Sequence, residues 1–443
     1  MNTTDTITAP ATGVGGAVTI IRVSGPDALA CAGKVWQGKI AIENAKPRRM
    51  YLGKVGGDPT LAVYMKAPAS YTGDDVVELQ CHGGAVAADS VLRALLDAGC
   101  RMAEPGEFTF RAFVNGKLDL AQAEAVADLI NSGSKGAMLL AERQLAGTLS
   151  TKLNEVWDKI NHLRSECEAR LDFPDEELDF DQNLSEQIAD LKKMITKLIS
   201  TREAGARLRD GVDVVLAGRP NAGKSSLLNQ LAGFDRAIVS SIPGTTRDTV
   251  EQECVLCGIP ARLTDTAGLR DSDDPIEAQG IERSRRSIAS AQVSFWLLDA
   301  SSDDIADELA ELEKSSGVNT IAVWNKCDLV PDRVLPETAL PSCRISAVNG
   351  DGIDTLLDCF KNIITGNGEQ AILPESAVNA RMADALERAY AALERADEQL
   401  EMEDFELAAC DLADAAYSVG ETTGKTASCD LLDEVFHRFC LGK

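Results

Sequence analysis

The sequence predicts a multidomain chain with α/β and all-helical parts, in which one α/β unit is inserted into a helical domain built from two chain segments. Two observations predict this. The apolar period changes three times along the 443 residues. It runs from mixed, to helical, to short strands alternating with helices, and back to helical. In addition, the two helical blocks each carry an apolar stripe that needs burial, and packing one against the other is the economical way to cover both.

The first part, residues 1–117, reads as an α+β domain. Ala17-Val-Thr-Ile-Ile-Arg-Val-Ser24 is a strand ended by Gly25-Pro26, Val76-Val-Glu-Leu-Gln-Cys81 is a second strand broken by Gly83-Gly84, and a helix is expected from Val86 to Ala98. Residues 118–210 form the first helical segment. Leu145, Leu149, Leu153, Val156, Ile160, Leu163, Cys167 and Leu171 step by three or four and read as one continuous stripe ending at Phe173-Pro174. An acidic loop follows, and then a second amphipathic helix with Leu184, Ile188, Leu191, Ile195 and Leu198 on one face. Residues 211–372 form the inserted unit: strands at Val212 to Gly218, Ala261 to Leu263, Val293 to Asp299, Thr320 to Asn325 and Cys343 to Ser346 alternate with helical segments, the mark of a largely parallel sheet. Residues 373–443 return to helix, with Met382, Leu386, Tyr390, Leu393 and Leu400 on one stripe.

Bulk properties exclude several classes. No apolar run approaches the roughly 18 to 20 residues that span a bilayer, and the first ten residues have no apolar core or basic flank of a secretory signal, so a cytoplasmic protein is expected. The formal charge of −26 is the wrong sign for a chain that grips nucleic acid unaided. Twelve cysteines in such a chain do not read as a disulfide framework. The close pair Cys254 and Cys257 has no second pair to complete a zinc site, and is read as strand cysteines running into a turn at Gly258 to Pro260.

Chemistry is concentrated in the inserted unit. Gly218-Arg-Pro-Asn-Ala-Gly-Lys-Ser225 fits the phosphate-loop pattern in its required context, after a strand and opening a helix. Its backbone amides cradle phosphates with help from the helix dipole. Asn221, Ala222, Gly223, Lys224, Ser225 and Ser226 are the candidate contacts, with Lys224 on the β- and γ-phosphates and the Ser225 hydroxyl on Mg²⁺. Within Pro243-Gly244-Thr245-Thr246-Arg247-Asp248, a threonine hydroxyl can close on Mg²⁺ when the γ-phosphate is present. In Asp265-Thr266-Ala267-Gly268 the aspartate would support the metal and the Gly268 amide would sense the γ-phosphate. Asn325-Lys326-Cys327-Asp328 carries a carboxylate that can accept from both N1–H and the exocyclic amine of guanine, a donor pair adenine lacks, and Ser346-Ala347 completes the base pocket. Together these select GTP. The position where many GTPases place a water-orienting Gln is Leu269. The catalytic carboxylate is left open between Glu277 and Glu282, and Arg247 and Arg270 are candidate cationic groups. The Asn221 oxygen could instead help hold a monovalent cation beside the phosphates.

Over its whole length the chain resembles the MnmE (TrmE) family of tRNA modification GTPases. The resemblance rests on Pro105-Gly-Glu-Phe-Thr-Phe-Arg-Ala-Phe-Val-Asn-Gly-Lys-Leu-Asp-Leu-Ala-Gln-Ala-Glu-Ala125 and on the terminal Phe439-Cys-Leu-Gly-Lys443, in addition to the nucleotide motifs. It implies a Ras-like P-loop G domain and an N-terminal tetrahydrofolate-binding domain that also makes a homodimer. It implies K⁺ held by Asn221 and backbone oxygens around Ser240, Ser241, Ile242 and Thr245, and Mg²⁺ held by Ser225 and Thr246. Glu277 takes the position of the family's catalytic glutamate, and Glu282 becomes a surface residue. Arg22, Glu78, Lys117 and Lys443 would contact a 5-formyl or 5,10-methylene folate, and Cys440 matches the cysteine needed for modification. From the residues alone, Cys440 reads as a buried core thiol. Cys81 stands where the family usually has Gly, next to His82. The implied reaction places an aminomethyl-type group at C5 of the wobble uridine of certain tRNAs, shared with the FAD-dependent MnmG (GidA) protein in a heterotetramer or larger assembly. The acidic chain could then rely on its partner for basic surface.

Overall fold

The structure is a computed structural model that describes residues 3–172, 183–234, 251–265, 291–315, 317, 319–366 and 372–443. Contacts divide the chain into two units, one of residues 1–127, 144–195 and 384–443, the other of residues 128–143 and 196–383.

In the first unit, seven strands form one sheet: β1 (Ile7–Pro10), β2 (Val18–Ser24), β3 (Gln37–Gly38), β4 (Met50–Val55), β5 (Asp58–Met65), β6 (Val76–His82) and β7 (Arg101–Met102), in the order β3-β4-β5-β6-β2-β1-β7. All pairs are antiparallel except β1 with β7. Alternation decides the faces. Ile21 and Val23 of β2 and Val77, Leu79 and Cys81 of β6 point into a core with helices Ala28–Val35 and Ala85–Asp97. The opposite face carries Arg22 across from Glu78, and Leu52, Leu61, Gln80 and Ile20 in one cross-strand row.

The helical part of this unit pairs its two chain segments. Helix Thr148–Asp172 packs along helix Phe405–Thr423, burying Leu149, Leu153, Val156, Ile160, Leu163 and Cys167 on one side and Ala408, Ala409, Leu412, Ala415, Ala416 and Val419 on the other. The continuous stripe expected from Leu145 is interrupted: Leu145 ends a separate helix, Lys135–Leu145, and Gly147, at φ 90°, turns the chain between the two. Leu171, at the stripe's other end, is exposed. Of the acidic loop expected from Asp172 to Asp181, Asp172 belongs to helix Thr148–Asp172 and residues 173–181 lie outside the described residues.

The second unit holds a six-stranded sheet: β8 (Val212–Gly218), β9 (Glu251–Leu256), β10 (Ile259–Asp265), β11 (Val293–Asp299), β12 (Thr320–Asn325) and β13 (Ser342–Arg344), in the order β13-β12-β11-β8-β10-β9. Every pair is parallel except the β9–β10 hairpin. β12 is buried along its whole length, as a central parallel strand covered on both faces must be. Cys257 (φ 52°) and Gly258 (φ 85°) make the hairpin turn, so the turn sits earlier than expected and Ile259 and Pro260 belong to a strand. Cys254 is a core residue of that hairpin, whose thiol burial pushes up to about 12. No group of metal-ligating side chains was found among the described residues.

Candidate nucleotide site and N-terminal cleft

The parallel strands β8, β10, β11 and β12 bring Gly218, Asp265, Asp299 and Asn325 to one edge, the carboxyl ends where open α/β sheets bind ligands. Gly218 adopts φ 129°, and a Cβ there would lie 2.3 Å from the Leu297 carbonyl. Gly223 adopts φ 98°, and its Cβ would lie 2.1 Å from the Asn325 amide nitrogen. The pattern therefore needs glycine at both positions. The Lys224 ammonium rests on the loop's own carbonyls, 2.9 Å from both Gly218 O and Arg219 O. The Ser225 hydroxyl donates to Asp265 Oδ2 at 3.0 Å. Hydroxyl and carboxylate together are hard oxygen donors suited to Mg²⁺. Asn221 is exposed, in a left-handed conformation (φ 63°).

Asn325 ties the site together. Its Nδ2 donates to Ala222 O at 2.8 Å, and its Oδ1 accepts from the Ala347 amide at 2.9 Å. One side chain thus links the phosphate loop to the Ser346-Ala347 loop. Lys326 adopts φ 62°, and Asp328 stands exposed on the short 3₁₀ turn Cys327–Leu329, where its carboxylate can meet a base. Sequence reasoning missed Asp299, whose Oδ2 lies 2.6 Å from the Lys326 ammonium. Burial alone would raise the Asp299 carboxyl, but Lys326 and Ser301 hold it below the ordinary carboxylate range. Twenty-seven residues separate the pair, so only the β11–β12 register could have revealed it. Ser240, Ser241, Ile242, Pro243, Gly244, Thr245, Thr246, Arg247, Thr266, Ala267, Gly268, Leu269, Arg270, Glu277 and Glu282 lie outside the described residues.

A second site lies in the N-terminal domain. A cleft of about 580 Å³ is lined by Arg48, Val63, Met65, Ala69, Ser70, Tyr71 and Lys117. Lys117 Nζ donates to Pro68 O at 2.9 Å. Val63 is the cross-strand neighbour of Glu78, and Glu78 pairs with Arg22 at 2.8 Å. The Arg22 guanidinium lies 5.6 Å from the Tyr71 ring. It also donates to the Gly442 carbonyl at 3.4 Å, so the C-terminal tail reaches the same group. The Phe108 amide donates to Lys443 O at 3.2 Å, and a Cβ on Gly442 would lie 1.9 Å from Pro10 O. Of the four candidate folate contacts, Lys117 lines the cleft, Glu78 neighbours its Val63, and Arg22 joins Glu78 to the tail at Gly442. Cys440 is exposed, not the buried thiol its apolar neighbours suggest. Cys81 is buried on the helix-covered face, opposite Glu78, and does not line the cleft.

The comparisons agree across the chain. Residues 6–117 match a family model described as "GTP-binding protein TrmE N-terminus", and residues 120–440 match "MnmE helical domain". The protein named "tRNA modification GTPase MnmE" from Clostridioides difficile (strain 630) is 40% identical over 456 residues, covering 99% of each chain. The chain belongs to the MnmE family. A relative of the same name from Thiobacillus denitrificans is 42% identical over 455 residues, covering 99% of this chain and 98% of that one. One from Syntrophotalea carbinolica is 40% identical over 455 residues, covering 99% of both. As an MnmE-family member the chain is a GTP hydrolase, with a TrmE-type N-terminal domain, a helical domain in two segments and an inserted Ras-like P-loop G domain. Among the described residues no helix is long and apolar enough to cross a membrane.

Proposed function

We propose that this chain is the GTPase of a tRNA-modifying system that installs an aminomethyl-type group, carboxymethylaminomethyl in its full form, at C5 of the wobble uridine of certain tRNAs. A 5-formyl or 5,10-methylene tetrahydrofolate supplies the carbon, and an FAD-dependent MnmG-type protein shares the chemistry in a heterotetramer or larger cytoplasmic assembly. The observation that carries this reading is the Arg22 guanidinium, which pairs with Glu78 and also holds the C-terminal tail at Gly442. It ties a folate-sized cleft to the segment that presents the exposed Cys440 thiol. Arg22, Glu78, Lys117 and Lys443 bind and orient the folate, which when bound supplies the one-carbon unit.

In the G domain, Ser225 with Thr246 holds Mg²⁺, and Asn221 with backbone oxygens of Ser240, Ile242 and Thr245 holds K⁺. Glu277 orients the attacking water, and Arg247 and Arg270 supply cationic support. A homodimer is favoured by the open face of the N-terminal sheet. Leu52 is 70% exposed, Val18 55%, Met50 54% and Leu61 37%. These lie on the side of β2, β4 and β5 opposite the one packed by helices Ala28–Val35 and Ala85–Asp97, an apolar patch of the kind that marks an interface.

The test is nucleoside analysis of tRNA from cells lacking the gene, complemented with the wild-type chain or with Cys440→Ser. The C5 wobble-uridine group should disappear in the deletion, return with wild type and stay absent with Cys440→Ser. Full restoration by Cys440→Ser would leave a GTPase that only gates a partner.

A further inference from the structure

Asp299 sits at the end of β11, beside the first residues of the guanine-reading motif at the end of β12. Its Oδ1 accepts from both the Ser301 amide (2.9 Å) and the Ser301 hydroxyl (2.6 Å). Its Oδ2 faces the Lys326 ammonium at 2.6 Å. The division of labour between the two oxygens fixes the carboxylate's orientation. The surrounding backbone is pinned as well: the Asp299 amide donates to the buried Glu308 carboxylate at 3.0 Å, and the Ala300 amide donates to Asn325 O at 2.9 Å. The Asp299 and Lys326 side chains are only 20% and 29% exposed, so their attraction is less screened than that of a surface pair.

Lys326 needs such a hold. Its left-handed backbone is one that L-residues with a Cβ adopt rarely, and its long side chain has many rotamers to lose on binding. The adjacent Asn325 and the nearby Asp328 must arrive at the base in fixed register with it. A carboxylate that anchors the ammonium lays the aliphatic stem along one path and removes that freedom before nucleotide arrives.

We infer that Asp299 is a positioning residue of the guanine site, acting through Lys326 to pre-organise the loop that reads the base. Because the base is common to GTP and GDP, Asp299 strengthens both nucleotides by the same factor. Its loss appears as faster nucleotide release and a higher KM more than as a lower kcat.

The experiment is a double-mutant cycle on the full-length protein, following release of N-methylanthraniloyl-GDP into excess GDP. Asp299→Asn, which keeps the side-chain shape, and Asp299→Ala should each accelerate release by about tenfold, with Ala the larger effect. Lys326→Ala should accelerate it as well, and Asp299→Ala combined with Lys326→Ala should be no faster than Lys326→Ala alone. Multiplying effects in the double variant would overturn the inference, because a carboxylate acting only on local folding does not need the lysine. Unchanged release in Asp299→Asn would overturn it too. Should Asp299→Ala fail to fold, the same cycle is run with Asp299→Asn. Ser301→Ala, which removes one of the two bonds orienting the carboxylate, should then give a smaller acceleration in the same direction.

Discussion

Asn221 and Arg111 show at the scale of single residues what pattern reading can and cannot reach. Asn221 lies in a motif whose spacing alone announces phosphate binding, and its left-handed, exposed placement within the loop leaves its oxygen accessible to a cation. If K⁺ takes the place of an arginine finger, GTP turnover should be roughly tenfold or more faster in K⁺ than in Na⁺ at equal ionic strength, and Asn221→Ala should erase that advantage. Equal rates in the two salts would remove potassium from the site. Arg111 lies in the family signature, but nothing in its neighbours shows that it is completely buried. It bonds Asp5 O and Oδ1, both at 2.6 Å, and Glu107 at 3.1 Å, while Arg101 closes the cluster on Asp5 at 2.6 Å. Asp5 and Arg111 stand 106 positions apart, so the fold must form before the pairing can be seen. Arg111→Met removes one of the two guanidiniums that pair with the buried Glu107, Arg101 remaining as the other, and should cost about 1–3 kcal/mol in urea unfolding. The Arg101 guanidinium, and after it burial and Arg111, set the Asp5 carboxyl, with the net effect a pKa below 3.8. The unfolded chain therefore binds this proton at higher pH than the native one. The stabilisation is present above about pH 4 and is lost as pH falls through the native value. Asp5→Asn should flatten the loss of stability as pH falls below about 4, read from urea midpoints, and an unchanged slope would remove Asp5 as its source.

At the scale of elements, legibility followed chemistry. The Leu and Ile stripes of Thr148–Asp172 and Leu184–Ile199 are plain in the sequence because large apolar residues recur at helical spacing. Helix Phe405–Thr423, the main partner of Thr148–Asp172, is hard to single out in the sequence, because its buried face is mostly small, Ala408, Ala409, Ala415, Ala416 and Gly420 with only Leu412 and Val419 larger. Small residues make a weak stripe, yet they allow two helix backbones to approach closely. A Cβ on Gly420 would lie 2.7 Å from the Thr426 hydroxyl and 3.3 Å from Trp157 Nε1. Short edge strands such as Gln37–Gly38 and Arg101–Met102 were missed for a different reason: two residues carry no period. The close helix pair makes a prediction. Ala415→Leu adds volume where there is none to take it, and should destabilise by about 1–3 kcal/mol, while Ile160→Ala opens a cavity and should cost about 2–5 kcal/mol. Denaturant midpoints measure both, and a neutral Ala415→Leu would mean the face is not tightly packed.

At the scale of the whole molecule, charge is the property the sequence stated most directly. Seventy acidic residues against 44 basic ones leave −26, and tRNA is itself a polyanion. Binding to nucleic acid releases counterions in proportion to the phosphates neutralised, so each engaged Lys or Arg steepens the salt dependence. A chain of this charge can place a few basic groups, such as Arg22, Arg48 and Lys117 around the N-terminal cleft, but not an extended basic track without working against its own field. Isolated protein should therefore bind tRNA weakly, with a shallow slope of log affinity on log salt, and a complex with the proposed FAD-dependent partner should bind more tightly with a steeper slope. Filter binding or fluorescence anisotropy over about 50 to 200 mM salt separates the cases. Tight binding by the isolated chain with the steep slope of many phosphate contacts would mean that its charge is segregated into a basic face, and that the partner is not needed to hold the tRNA.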